Sequence, residues 1–289
     1  MAHTHLRGAS FGLAAMGLYC LYDVTIKYLG PIYSPMQILF CAGLVFVPLI
    51  LVQMRVVPQG GLRPVLPGWT VLRVVISLLN ATIGAYAFSV LPLAQCYAVF
   101  FLMPLMIAAL AVPMLGEPMD MARSLAIVAG FCGVLIALQP VSGTVFGLGH
   151  LAAFVAAALG AVNYVILRKT GAVESPGVLM LYPAAAQLMA LGLAMPMVWV
   201  AMPLQDWVLT TLMGAELFAG GLFIIAAYRN APAIVVAPMQ YSQILWAAIL
   251  GTLLFDEALT LPLIAGLALI IAAGLFILAY QPKTARAQT

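Results

Sequence analysis

Apolar residues run through this chain in long blocks, interrupted at nearly even intervals by proline, glycine and charged residues. Cutting at those interruptions leaves ten apolar stretches, each near the roughly 20 residues that a hydrocarbon layer about 30 Å thick requires of a helix. Their centres fall near Gly17, Leu44, Leu79, Met103, Val128, Ala157, Leu188, Ala219, Leu245 and Ile270. The connections are short, and the longest polar one runs from Arg55 to Gly68. The pattern predicts an all-α polytopic membrane protein with ten transmembrane helices.

Composition points the same way. With 65% hydrophobic residues, 7% charged residues and a mean hydropathy of +1.16, the apolar surface exceeds what one soluble core could bury, so the lipid bilayer is the solvent. The 11 basic and 8 acidic side chains are too few and too scattered for a nucleic-acid surface. Their placement fixes orientation. With a cytoplasmic amino terminus, the inner side receives Arg7, Arg55, Arg63, Arg73, Arg123, Arg168, Lys169, Arg229, Lys283 and Arg286, and only Lys27 lies toward the outside. That bias predicts that both termini are cytoplasmic. Arg7 ahead of an apolar run imitates a signal peptide, but no small-residue cleavage site follows and the run continues through Asp23 and Lys27. It is expected to be a retained first helix.

The second half of the chain repeats the first. An offset of about 140 residues sets Pro92 on Pro232 and Glu117 on Glu257, and a slightly larger one sets Ser34-Pro35 on Ser175-Pro176 and Tyr22 and Lys27 on Tyr164 and Lys169. The segment Tyr86–Pro118 answers Ala227–Ala258. The chain thus divides into a first five-helix repeat, residues 1–142, and a second, residues 143–289. Repeats with an odd number of spans sit in opposite orientations, and such inverted repeats build two alternative openings around one central site.

No zinc-protease, serine-hydrolase, phosphate-loop, paired-aspartate or Cys-x-x-Cys motif is present. Cys20, Cys41, Cys96 and Cys132 fall inside apolar spans and resemble small core hydrophobes. His3, His5 and His150 have no neighbours in sequence that suggest metal or catalysis, and Asn80-Ala81-Thr82 is a mid-helix sequon without use. Neither a cofactor nor a metal is expected, and the chain does not read as an enzyme.

The duplicated five-helix unit and the segment PLAQCYAVFFLMPLMIAALAVPMLGEP from Pro92 to Pro118 carry a resemblance. So do the acidic steps that end the fourth helix of each half, Gly116-Glu117 and Asp256-Glu257. From about Ser10 to Tyr280 the chain resembles the ten-helix, EamA-type transporters of the drug/metabolite transporter superfamily. The first helix, LYCLYDVTIKYLG, and the overall length look most like the bacterial aromatic amino-acid exporter branch. The resemblance implies a membrane exporter of amino acids or other small metabolites. It also implies that helices three, four, eight and nine surround the substrate while one, two, six and seven gate it.

Ionisable groups within spans are costly, roughly 2.5 to 3.5 kcal/mol each on insertion scales, and so are functional candidates. Asp23 and Lys27 stand four apart on the first helix with the acid first, a spacing that suits an ion pair. Such a pair either eases insertion and closes the outer mouth, or contacts substrate. Glu216 falls mid-span in TLMGAELFAGG with no opposite charge within a turn. It is a candidate to carry a proton or to bind a substrate ammonium, the alternative being a neutral acid bonded to a neighbouring helix. Asp23, Lys27 and Glu216 form the gating or coupling set, with protons as candidate co-substrates. Glu117, Asp120 and Glu257, at helix ends, are expected to cap or pair at the surface.

In the ninth helix Pro238 precedes Gln240, Tyr241, Gln243 and Trp246, and its counterpart carries Gln95, Tyr97 and Phe101 before Pro104. Proline frees a backbone carbonyl where a helix faces a wet cavity, and these two segments would frame one. The same Gln and Tyr residues could equally bond helix to helix. Tyr19, Asn80, Tyr86, Asn163, Tyr164, Tyr182 and Gln187 are further wall candidates. Aromatic and Met walls suit an aromatic or bulky apolar substrate, and the lack of a basic residue at any midplane argues against an anionic one. Pro104, Pro183, Pro196, Pro238, Gly220 and Gly221 mark expected bends. Small-residue patterns at Gly8–Gly12 and Ala156–Gly160 serve close packing within the bundle or between protomers. The combined expectation is a secondary transporter of the bacterial inner membrane that exports neutral, aromatic or bulky amino acids by alternating access. A broad exporter of drugs or other small metabolites is the alternative, ahead of a membrane enzyme or a scaffold.

Overall fold

In the computed structural model, residues 2–56, 61–115, 121–138, 147–170, 173–230, 239 and 242–279 are described, and among them the regular elements are helices joined by short turns. In chain order these are α1 (Ala2–Leu29), α2 (Pro35–Val56), α3 (Pro67–Val90), α4 (Leu93–Phe100), α5 (Met103–Leu115), α6 (Met121–Leu138), α7 (Leu148–Thr170), α8 (Pro176–Val198), α9 (Leu204–Asn230), α10 (Ser242–Phe255) and α11 (Leu261–Ala279). Each of the expected centres lies inside a helix, Met103 at the first residue of α5. Six helices, α1, α2, α3, α7, α8 and α9, contain a stretch long and apolar enough to cross a membrane, and shorter apolar stretches occupy α4–α5, α6, α10 and α11. Leu193 and Met197 stand 84% and 89% exposed on the apolar span of α8, an outer surface suited to lipid. This is a multi-pass membrane protein.

Local chemistry sets the boundaries. Ser34 and Ser175 precede Pro35 and Pro176, and each serine oxygen accepts from a backbone N–H in the first turn, Gln37 at 3.2 Å and Val178 at 3.3 Å. A serine cap followed by proline, whose missing N–H costs nothing at that position, starts both helices alike. The break between α4 and α5 at Phe101-Leu102 comes just before Pro104, which has no N–H to offer the carbonyl of Phe100. At other expected bends the helix continues. Helix α8 runs on through Pro183 and Pro196, and α9 through Gly220 and Gly221. Neighbouring helices can supply the packing that holds such residues in a membrane helix. Pro238, together with Glu117, Asp120, Gln240 and Tyr241, lies outside the described residues.

Packing is pairwise across the chain. Helix α1 lies on α9 and α3 on α7; α2 meets both α8 and α9, and α3 meets α8. Fully buried Ala153, Ala156, Ala157 and Ala161 give α7 a small-residue face that admits a close neighbour. Backbones also approach closely between α6 and α11. A side chain on Gly133 would stand 2.9 Å from the carbonyl oxygen of Gly266, and one on Gly266 would collide with that of Gly133.

Candidate functional site

Helix α1 is the spine of the interior, meeting a different partner at nearly every turn. The indole of Trp246 in α10 lies against Gly17, and the ring of Tyr19 lies against Gly220 in α9. Asp23 accepts a short hydrogen bond from the Tyr97 hydroxyl of α4. Lys27 reaches Glu257, in the turn between α10 and α11, at 2.7 Å. Tyr97 is buried in an aromatic group, edge-on to Phe88 at 5.3 Å and stacked on Phe101 at 6.0 Å, with Phe88 stacked on Phe100 at 5.3 Å. A cavity of about 220 Å³ opens between α1, α2, α3, α8 and α9, with Tyr22 and Gln187 as its polar edges and Leu217 in its wall.

Glu216, one turn from Gly220, is half-buried, and its Oε2 is buried without a hydrogen-bond partner among the described residues. The Oδ1 of Asn163 in α7 is in the same condition. Asn80 in α3 and Met103 in α5 both approach Gly160, one turn before Asn163. A carboxyl oxygen and an amide oxygen left open inside a helical bundle are acceptors waiting for a donor, since a buried acceptor without one is costly.

On α1 itself Tyr19 and Asp23 meet Gly220 and Tyr97, and Trp246, 36% exposed, lies against Gly17; Phe101 stacks on Tyr97, Glu216 stands one turn from Gly220, and Asn80 and Asn163 lie on the facing pair α3 and α7. Other candidates stand apart. Tyr182 donates to the carbonyl of Leu62 at 2.9 Å, at one end of the bundle. Gln95 faces His150 at 3.4 Å, at the opposite end. Tyr86 and Tyr164 are exposed, at 37% and 52%, and Gln243 is half-buried in α10. Among the described residues no three His, Cys, Asp or Glu side chains gather to hold a metal.

Two expectations need correction. Asp23 and Lys27 do not pair with each other, because each finds a partner on another helix: Tyr97 for the acid, Glu257 and the Leu91 carbonyl for the amine. Glu257 does pair, but not at the surface, its side chain being 12% exposed. Sequence reasoning also passed over two buried acids. Glu174 accepts from the N–H groups of Val65 at 3.1 Å and Leu66 at 2.6 Å, tying the turn before α3 to the turn before α8. Asp206 accepts from the Tyr33 hydroxyl at 2.6 Å, tying the turn after α1 to α9. Beside it the Gln37 amide donates to the Val200 carbonyl at 2.6 Å and accepts from the Val200 N–H at 2.9 Å. Their signal was present, an acid beside the start of a helix, but it reads as an ordinary end charge.

No family model matches the chain. Over 97% of its length it is 26% identical to an S-adenosylmethionine uptake transporter of Rickettsia prowazekii, covering 95% of that protein. A riboflavin transporter of Brucella anthropi is 26% identical over 95% of this chain and 99% of its own. An uncharacterised transporter of Helicobacter pylori is 24% identical over 96% of both. A crystal structure at 16% sequence identity superposes with a TM-score of 0.67, covering 95% of this chain and 99% of its own, and shares the fold. These full-length relatives are transporters rather than enzymes, and they support a small-molecule transporter.

Proposed function

We propose that this protein carries small metabolites across a bacterial inner membrane by alternating access. Its two inverted five-helix halves, residues 1–142 and 143–289, would expose one central site to either side in turn. The contact pattern supports the inversion. Exchanging α1 with α7, α2 with α8 and α3 with α9 turns the α1–α9 contact into α7–α3 and the α2–α9 contact into α8–α3. The same offset of about 140 residues carries the Tyr33–Asp206 tie onto the Glu174–Val65 tie. The excess of Arg and Lys at the Glu174 end supports a cytoplasmic position for that end and an external one for Lys27.

The observation that carries the substrate class is the open carboxyl oxygen of Glu216. A carboxyl group one turn from the Gly220 that the Tyr19 ring covers suits a substrate that joins a positive centre to an aromatic or sulfur-bearing body. Aromatic amino acids, exported, fit that description, and so does S-adenosylmethionine, the cargo of the Rickettsia relative. The riboflavin relative favours a second reading, a carrier of neutral ring systems in which Glu216 serves only as a proton or hydrogen-bond group.

Counterflow into proteoliposomes tests both. Labelled phenylalanine, S-adenosylmethionine and riboflavin are offered separately to wild type and to Glu216→Gln. Uptake of phenylalanine or S-adenosylmethionine, each with a positive centre, lost in the variant, supports the first reading. Riboflavin uptake alone supports the second. No counterflow of any of the three by folded protein removes both.

A further inference from the structure

We propose that Lys27, Glu257 and the first N–H of α4 form a latch that shuts one mouth of the substrate path and opens once in every transport cycle; this rests on the transporter reading above. Three parts of the chain far apart in sequence meet there: the end of α1, the start of α4 and the turn between α10 and α11. Lys27 Nζ stands 2.7 Å from Glu257 Oε1 and donates to the Leu91 carbonyl at 2.7 Å. The two oxygens of Glu257 accept from the Leu93 N–H at 3.1 and 2.9 Å. The ammonium also sits 5.1 Å from the centre of the Phe255 ring.

The start of α4 depends on this arrangement. Its cap position is Pro92, which offers no side-chain acceptor to the opening N–H groups. Glu257 supplies the missing acceptor from another helix, and its negative charge suits the positive end of the α4 dipole. The cap is therefore detachable, since moving the α10–α11 turn uncaps α4 and frees Lys27 together.

The turn is shaped to present Glu257. Its N–H donates to the Gly251 carbonyl at 3.1 Å, and the Thr252 hydroxyl donates to its carbonyl at 3.2 Å. The carboxylate lies so close that a side chain on Gly251 would stand 2.7 Å from Oε2. Asp256 holds φ at 53°, a left-handed conformation unusual for a residue other than glycine. Strain of this kind persists where the surroundings impose it, and it gathers at switch regions.

Energetics suit a switch. Both side chains are mostly shielded, 15% and 12% exposed, so their attraction is offset by the loss of hydration. A fastening of small net strength and well-defined geometry can close and open within one cycle. Beneath it, Asp23 and Tyr97 join the same two helices. Cys96, fully buried one turn into α4, lies within electrostatic reach of both Lys27 and Glu257.

Cys96 is the natural reporter. In the full chain in membranes, with Cys20, Cys41 and Cys132 replaced by Ala, its rate of alkylation is measured with a membrane-impermeant maleimide added on the Lys27 face. Glu257→Gln and Lys27→Met are each expected to speed labelling about tenfold, as a shift from a rare to a common open state requires, while Lys27→Arg labels like wild type. A second measurement does not depend on the charge variants folding. In Lys27→Cys/Glu257→Cys, joined by a short reducible bis-thiosulfonate, alkylation scored on the Cys96 peptide alone falls below the wild-type rate and rises at least about tenfold on reduction. Equal rates before and after reduction, or charge variants that melt earlier without labelling faster, overturn the latch. The readout needs no substrate, so it fails or succeeds separately from counterflow.

Discussion

Lys27 and Lys169 close the carboxy-terminal turns of α1 and α7, and their ammonium groups are housed by different chemistry. Lys27 is shielded, paired with a carboxylate and bonded to a carbonyl. Lys169 is exposed and stands over the ring of Trp69 at 4.4 Å. Around Lys169 the carboxylate work is done instead by Glu174, which holds two backbone N–H groups of the neighbouring turn. The Lys27 end has the same kind of turn-to-turn tie in Tyr33–Asp206 and Gln37–Val200, and the ion pair in addition. Among the described residues, turn-to-turn ties thus fasten both ends, and the ion pair marks the difference between them. A carrier caught with one mouth latched would look like this.

The contrast can be broken by substitution. Lys27→Met leaves Glu257 shielded without its cation and is expected to cost about 3 kcal/mol, read as a lowered melting temperature in detergent. Glu174→Ala leaves the N–H groups of Val65 and Leu66 without an acceptor, and about 2 kcal/mol is expected by the same measurement. Trp69→Leu removes only a cation–π contact at an exposed site, worth less than about 1 kcal/mol. If Trp69→Leu destabilises as much as Lys27→Met, the two ends are not different in kind.

The smallest effect concerns pH. The hydrogen bond to Asp206, then burial and the charge of that carboxylate, hold the Tyr33 phenol up at about 12 rather than the usual 10. A group with a raised pKa in the folded state stabilises it fully below the unfolded value and loses that contribution as pH rises through the folded one. The gap in melting temperature between wild type and Tyr33→Phe is therefore expected to be constant up to pH 10 and to close toward about 12. A gap that closes well below pH 10 would detach Tyr33 from Asp206.

How much of this could be read in advance depends on distance along the chain. The apolar runs were legible because lipid imposes them one helix at a time, and so were the Ser-Pro starts, where cap and proline are adjacent. Pro104, marked as a bend, coincides with the break after Phe100, whereas α8 continues through Pro183 and Pro196. Asp23 and Lys27 were picked out correctly as buried charges. Their partners were not, because Tyr97 and Glu257 come close only when α4 and α10 pack on α1. Of the candidate wall, Tyr97 bonds Asp23 and Tyr19 lies against Gly220, one turn from Glu216, while Tyr182 belongs to a tie at the end of the bundle. A polar residue in an apolar run signals that something satisfies it, without saying whether that is a neighbour or a guest.

Gly133 and Gly266 bring the backbones of α6 and α11 into direct contact. Both helices touch the rest of the bundle lightly compared with each other. Such a seam holds the two backbones at one separation, because no side chain stands between them to give way. It also narrows what heredity can write there. Every single-base change that replaces a glycine adds at least one carbon, and at these two positions one carbon is already too many.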